Sequence, residues 1–122
     1  MALRLEDLEV YNLASEISDE IWTVASTMPN FEKYTIGQQI VRSADSISAN
    51  IAEGYGRYSF KENKNFCLYA RGSLIETKDW IGKCKRRNII GETVAQDIFQ
   101  KMERLNKQLN AYIKSIGPKT DI

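Results

Sequence analysis

Apolar residues recur at three- and four-residue steps in four separate stretches of this chain, and no stretch carries the signals of a β-strand. Val10, Ala14, Ile17, Ile21, Val24 (or Ala25) and Met28 form the first helical stripe. Ile36, Ile40, Ala44, Ile47 and Ile51 form the second. The third includes Phe66, Cys67, Ala70, Leu74, Thr77, Trp80, Ile81 and Cys84. Val94, Ile98, Met102, Leu105, Leu109, Tyr112 and Ile116 form the fourth. The only two prolines, Pro29 and Pro118, stand at the ends of the first and fourth stripes, where proline stops a helix. Helices are therefore expected at about 5–28, 35–54, 59–87 and 92–116. Connections this short force sequential helices to run antiparallel. The expected fold is all-α: an up-down-up-down four-helix bundle that makes one domain of residues 1–122.

Helix punctuation supports these boundaries. Thr35 with Gln38, Ser59 with Glu62, and Thr93 with Gln96 have the spacing of capping boxes. Ser43, Ala44, Ser46, Ser48, Ala49 and Ala52 make the second helix thin, so a neighbour can approach closely. Gly54 and Gly56 are expected to end it in the left-handed conformation that helix C-termini favour. Lys85, Arg86 and Arg87 crowd the end of the third helix, where cations suit the helix dipole.

Several kinds of chemistry have no support. The chain has no histidine, which removes the commonest metal ligand and the commonest general base. A di-iron bundle would need Glu-x-x-His pairs. Cys67 and Cys84 lie seventeen residues apart, roughly 25 Å along one helix, too far to pair, and read as buried small apolar residues. Ser46, Ser48 and Ser73 have no candidate base but Glu53 and Glu76, and Gly54-Tyr55-Gly56 lacks the spacing of a phosphate loop. The expectation is no catalytic residue, no metal and no cofactor. Neither a membrane span nor a signal peptide is visible, so the expected location is cytoplasmic.

Charge is distributed unevenly. Residues 1–33 hold two bases against seven acids, net −5, whereas residues 57–88 hold nine bases against three acids, net +6. Arg57, Lys61, Lys64, Arg71, Lys78, Lys83, Lys85, Arg86 and Arg87 belong to the third helix or its approach, and Tyr55, Tyr58 and Phe60 lie beside the first of them. Such cations bind phosphates, and exposed aromatics stack on unpaired bases. The same pattern also describes a solvated face with a favourable helix end. Asn50 and Glu53 flank the second stripe and Ser73 and Glu76 the third, either as a ligand pocket or as a hydrogen-bond network fixing register, with Glu53 reaching Arg57 or Arg71. In an up-down bundle the first and third helices are diagonal. Copies could then dock acidic side to basic side, a contact that closes into a ring if the rotation permits.

The run Asn50-Ile51-Ala52-Glu53-Gly54-x-Gly56-Arg57-x-Ser59, followed by Gly72-Ser73-Leu74-x-Glu76, resembles the signature of a bacterial family. Its members are four-helix-bundle proteins encoded in intervening sequences of 23S ribosomal RNA genes. The accessory variability protein of diversity-generating retroelements is a relative of that family. The resemblance implies a bundle without enzymatic activity, assembled as a ring of five subunits, with RNA or DNA as a partner. Arg57, Tyr58, Lys61, Lys64, Arg71, Lys78, Lys85, Arg86 and Arg87 are the expected contacts. The other expectation is a scaffold that recruits a protein partner and whose charges serve assembly alone.

Overall fold

The computed structural model describes residues 4–118, and among them there is no strand. A 3-10 turn at Leu5–Asp7 precedes α1, Glu9–Ser26. The helix does not run on from residue 5 because Leu8 is extended (φ −80°, ψ 117°). The next helix, α2, is continuous through Asn30–Glu32, a π-helical turn at Lys33–Gly37, and Gln38–Tyr55. Then come α3, Phe60–Arg86, and α4, Glu92–Ser115. Contacts run α1 to α2, α2 to α3, α3 to α4 and α4 back to α1, so α1 and α3 are diagonal in an antiparallel four-helix bundle.

The second helix starts five residues earlier than its sequence pattern suggests. Pro29 is extended (ψ 159°) and Asn30 follows it directly into helix. Thr35 is therefore inside the helix and cannot cap it. Its hydroxyl donates back to the Phe31 carbonyl at 2.7 Å, the usual outlet for a mid-helix threonine. Thr93 likewise lies within the first turn of α4, whose cap residue is Gly91, without a side-chain bond. Only Ser59 caps as expected, accepting from the Glu62 amide at 3.1 Å.

Gly54 and Gly56 also depart from expectation. Gly56 ends α2 in right-handed geometry (φ −77°, ψ −5°). Gly54 is needed for close approach instead: a Cβ there would sit 2.7 Å from Asn63 Oδ1 and 2.9 Å from Phe66 Cβ. Left-handed geometry occurs at Asn88 (φ 57°). There Ile89 N bonds Cys84 O and Asn88 N bonds Lys85 O, the two bonds of a Schellman motif that stops α3.

The four stripes meet in one core. Ile17, Ile21, Ile40, Ile47, Ile51, Ile81, Ile98, Leu105 and Leu109 are fully buried within it. Val94 is exposed, and Ala95 takes the core position one residue on. Phe66 and Trp80 are half-buried at the edge of the third stripe. Both cysteines are buried and free. Burial pushes the Cys67 thiol up to about 11.

Candidate nucleic-acid interface

The cations on and beside α3 divide into those with carboxylate partners and those without. Arg57 is committed: Nη2 lies 2.7 Å from Glu53, Nη1 3.6 Å from Glu62, and its guanidinium covers the Phe66 ring at 4.7 Å. Lys83 pairs with Asp79 and lies over the Trp80 ring, and the bond from Lys83 holds the Asp79 carboxyl below its ordinary value. Among the described residues, Lys61, Lys64, Lys78, Lys85, Arg86 and Arg87 have no carboxylate within ion-pair distance. Arg71 reaches a neutral partner, Asn110 Oδ1, at 2.9 Å.

Four of these cations form a line. Lys64, Arg71, Lys78 and Lys85 recur at seven-residue steps. Seven residues are nearly two helical turns, so the four share one flank of α3, about 10.5 Å apart. The Arg71–Asn110 bond shows that this flank borders α4. Lys64 and Arg71 are half-buried, Lys78 and Lys85 exposed. Half-burial of the Lys64 stem along apolar surface steers its charged end toward solvent, whereas the Arg71 guanidinium is held at Asn110. Arg86 and Arg87 continue the positive charge at the end of the helix, while Lys61 sits nearer its start. Tyr58, in the connection before α3, is fully exposed.

Asn50, Glu53, Ser73 and Glu76 do not meet one another. Asn50 donates to Ser46 O in its own helix at 2.8 Å, and Glu53 binds Arg57. Glu76 accepts from Arg42 and from Trp80 Nε1, each at 3.0 Å. Ser73 offers its carbonyl to Thr77 at 2.7 Å. The buried polar contact between α2 and α3 is a different pair, Ser43 Oγ and Thr77 Oγ1, 3.0 Å apart. Its signal lies in Ser43, which reads as one of the small residues that thin the second helix, and in Thr77, which reads as part of the third stripe.

Polar ties elsewhere link the acidic first helix to its neighbours. Lys101 of α4 lies 2.7 Å from Glu20, 3.3 Å from Asp97 and 3.5 Å from Glu16. Its hydrogen bonds to Glu20 and Asp97 hold its ammonium above the ordinary value. Ser18 donates to Asp45 across α1 and α2. No group of His, Cys, Asp and Glu among the described residues could hold a metal ion. No helix among them is long and apolar enough to cross a membrane.

These features define an all-α bundle with an acidic first helix and a basic flank on the third. The chain belongs to the 23S rRNA-intervening sequence protein family, whose model matches residues 6–111. A crystal structure of a protein of unknown function from the S23 ribosomal protein family of Bacteroides thetaiotaomicron is similar. It is 27% identical, with a TM-score of 0.81, and the match covers 87% of this chain and 99% of that one. Neither the family nor this neighbour is described as an enzyme. A search of the curated proteins found no match.

Proposed function

We propose that this protein is a non-enzymatic, ring-forming bundle that binds structured RNA or DNA through the α4-facing flank of α3. The carrying observation is the line Lys64–Arg71–Lys78–Lys85, four cations at one helical spacing with no carboxylate to neutralise them. A merely solvated face would be expected to mix signs, as the neighbouring Lys83–Asp79 pair does. Arg86, Arg87 and Lys61 extend the field, and Tyr58 offers a ring to an unpaired base. Arg57 positions the α2–α3 connection and is removed from the contact set by its two carboxylates.

Assembly as a ring rests on the charge of diagonal helices. α1 holds four acids and no base, and α3 holds seven bases against three acids. Of the four acids, Glu16 and Glu20 are paired with Lys101 of α4, while Glu9 and Asp19 form no ion pair among the described residues. The family's name points to ribosomal RNA genes, and structured RNA is the first probe to try.

Labelled RNA and duplex DNA mixed with the protein at two salt concentrations test the reading. Four phosphate contacts give a log–log salt slope of about −3 to −4, so affinity should fall roughly 100-fold between 50 and 200 mM salt. Lys64→Glu with Lys78→Glu and Lys85→Glu should abolish the shift with the bundle intact. No shift at low salt ends the proposal. Loss of the oligomer in the triple variant would favour the scaffold, in which these charges serve assembly.

A further inference from the structure

Besides the exposed Phe31, Tyr58, Phe60, Tyr69 and Val94, two groups of apolar side chains lie outside the core. One is a groove of about 400 Å³ between the end of α1 and the π-helical start of α2, walled by Trp22, Ala25, Tyr34 and Val41. Trp22 and Tyr34 are both more than 60% exposed. The other is the outer face of α3. Leu68, Gly72 and Ile75 follow one another at steps of four and three, so they lie in one line. Leu68 and Ile75 are exposed, and a side chain at Gly72 would meet nothing within 4 Å. Clustered apolar surface of this kind marks a place where something docks.

The two surfaces differ in the ways that partners differ. The groove is concave and aromatic. The line on α3 is a ridge of two aliphatic knobs with a gap at Gly72, where another backbone can come close. The groove lies beside the acidic helix and the ridge on the basic one. At the groove's lip stands Lys33, which has no ion-pair partner among the described residues. One turn beyond Ile75 the ridge ends in the exposed carboxylate of Asp79, which Lys83 of the same helix also holds. Since α1 and α3 are diagonal, groove and ridge point obliquely away from each other and cannot cover one another within one molecule.

We infer that the groove of one copy receives the α3 ridge of a second copy of this chain. Leu68 and Ile75 of that copy seat against Trp22 and Tyr34, and Lys33 comes to share its Asp79 with Lys83. This names the surfaces of the proposed ring and rests on that reading. Each copy has one groove and one ridge, so the contact is heterologous, and successive contacts must close or run on. The oblique setting of the two surfaces turns each copy relative to the last, as closure requires. The ridge is the outward face of α3, whereas the cationic line occupies the flank toward α4. Assembly and the Lys64–Arg71–Lys78–Lys85 line therefore use different sides of one helix, while Lys61, seven residues before Leu68, and Arg86, seven after Asp79, flank the ridge itself.

Two exposed positions test this without touching the core. Trp22→Glu destroys the groove, Ile75→Glu destroys the ridge, and circular dichroism should show both folded. By sedimentation the wild type should assemble, and each variant alone should be a monomer. Mixed in equal amounts, the variants should form a 1:1 dimer and nothing larger, because one brings the only intact ridge and the other the only intact groove. A wild type that sediments as a lone 14.0 kDa particle overturns the ring reading itself. A wild type that assembles, with variants that assemble equally well, overturns only the choice of surfaces. So does a mixture that stays monomeric or regains full size.

Discussion

The third helix has two long seams, and they are built differently. Against α2 it is packed at close range: Gly54 leaves no room for a Cβ beside Asn63 and Phe66. The polar groups there find partners, Ser43 with Thr77, and Arg42 and Trp80 with Glu76. Contact with α4 is far less extensive. Across it Arg71 reaches Asn110, while Lys64, Lys78 and Lys85 reach no carboxylate. A tight seam satisfies its own polar groups and contributes stability. A looser one can keep charges unpaired, and unpaired charges are what a phosphate partner needs.

The sharpest way to break this contrast is to overfill the tight seam. In a helix interior, replacing glycine normally gains up to about 1 kcal/mol. At Gly54 the new Cβ would instead meet Phe66 Cβ at 2.9 Å and the Asn63 carbonyl oxygen at 3.0 Å, neither of which can swing aside. Gly54→Val should lower unfolding free energy by about 3 kcal/mol or more, read from urea denaturation, since overpacking and a β-branched side chain act together. A neutral result would mean that the two helices can part without loss.

Next in size is an alkaline effect at the same level of the bundle. Cys67 lies 3.7 Å from Asn63 Oδ1, and burial raises its thiol from 9.0 to about 11. The folded value is above the unfolded one, so folding favours the neutral thiol. The resulting stability is complete below about pH 9 and is lost as pH rises through about 11. The loss should approach about 2 kcal/mol. Cys67→Ala should flatten that part of the stability–pH curve, whatever it does to the absolute value. An unchanged slope would mean that the thiol reaches water.

Thr77→Val tests the polar part of the tight seam. It deletes a hydroxyl 3.0 Å from Ser43 Oγ in a fully buried setting, at an expected cost of about 1 kcal/mol in thermal or urea unfolding. The companion change is Gly82→Ala, in the same helix but away from the close contact. Its nearest neighbour would be the flexible Arg86 Nη1 at 3.7 Å. Stability should rise by about 0.5–1 kcal/mol, the helix-propensity gain alone. Opposite signs at Gly54 and Gly82 would locate the crowding on one side of the bundle.

Much of this was open to reading in the sequence, and the failures share a physical reason. The α1 stripe was legible because a 3.6-residue period needs only local spacing. Val94 and Ala95 are both apolar, and which one faces inward depends on the helix's rotation against α1 and α3. Gly54 looked like a turn residue because glycine serves left-handed geometry and close approach equally, and only the position of Asn63 and Phe66 decides between them. Thr35 looked like a cap because Thr-x-x-Gln is a local pattern. Pro29 had already opened the helix upstream, and the π turn leaves no distinctive mark in composition. The seven-residue spacing of Lys64, Arg71, Lys78 and Lys85 is present in the sequence, but among nine cations read as one cluster it does not stand out. That Arg57 is bound and Lys78 is not depends on carboxylates brought near by folding.

The smallest stability effect carries the most information about that line. Replacing Lys64, Lys78 and Lys85 together by Gln removes three charges that form no ion pair in the folded subunit. Nothing is left unpaired in return, so unfolding free energy should change by less than about 0.5 kcal/mol per site. If the flank is a phosphate surface, the same triple variant should lose most RNA or DNA binding and most of the salt slope, because both scale with phosphates contacted. A large loss of stability would show that these lysines hold the α3–α4 seam together. Binding that persists with an unchanged slope would move the contact to Arg86, Arg87 and Lys61, on the end and outer side of the helix.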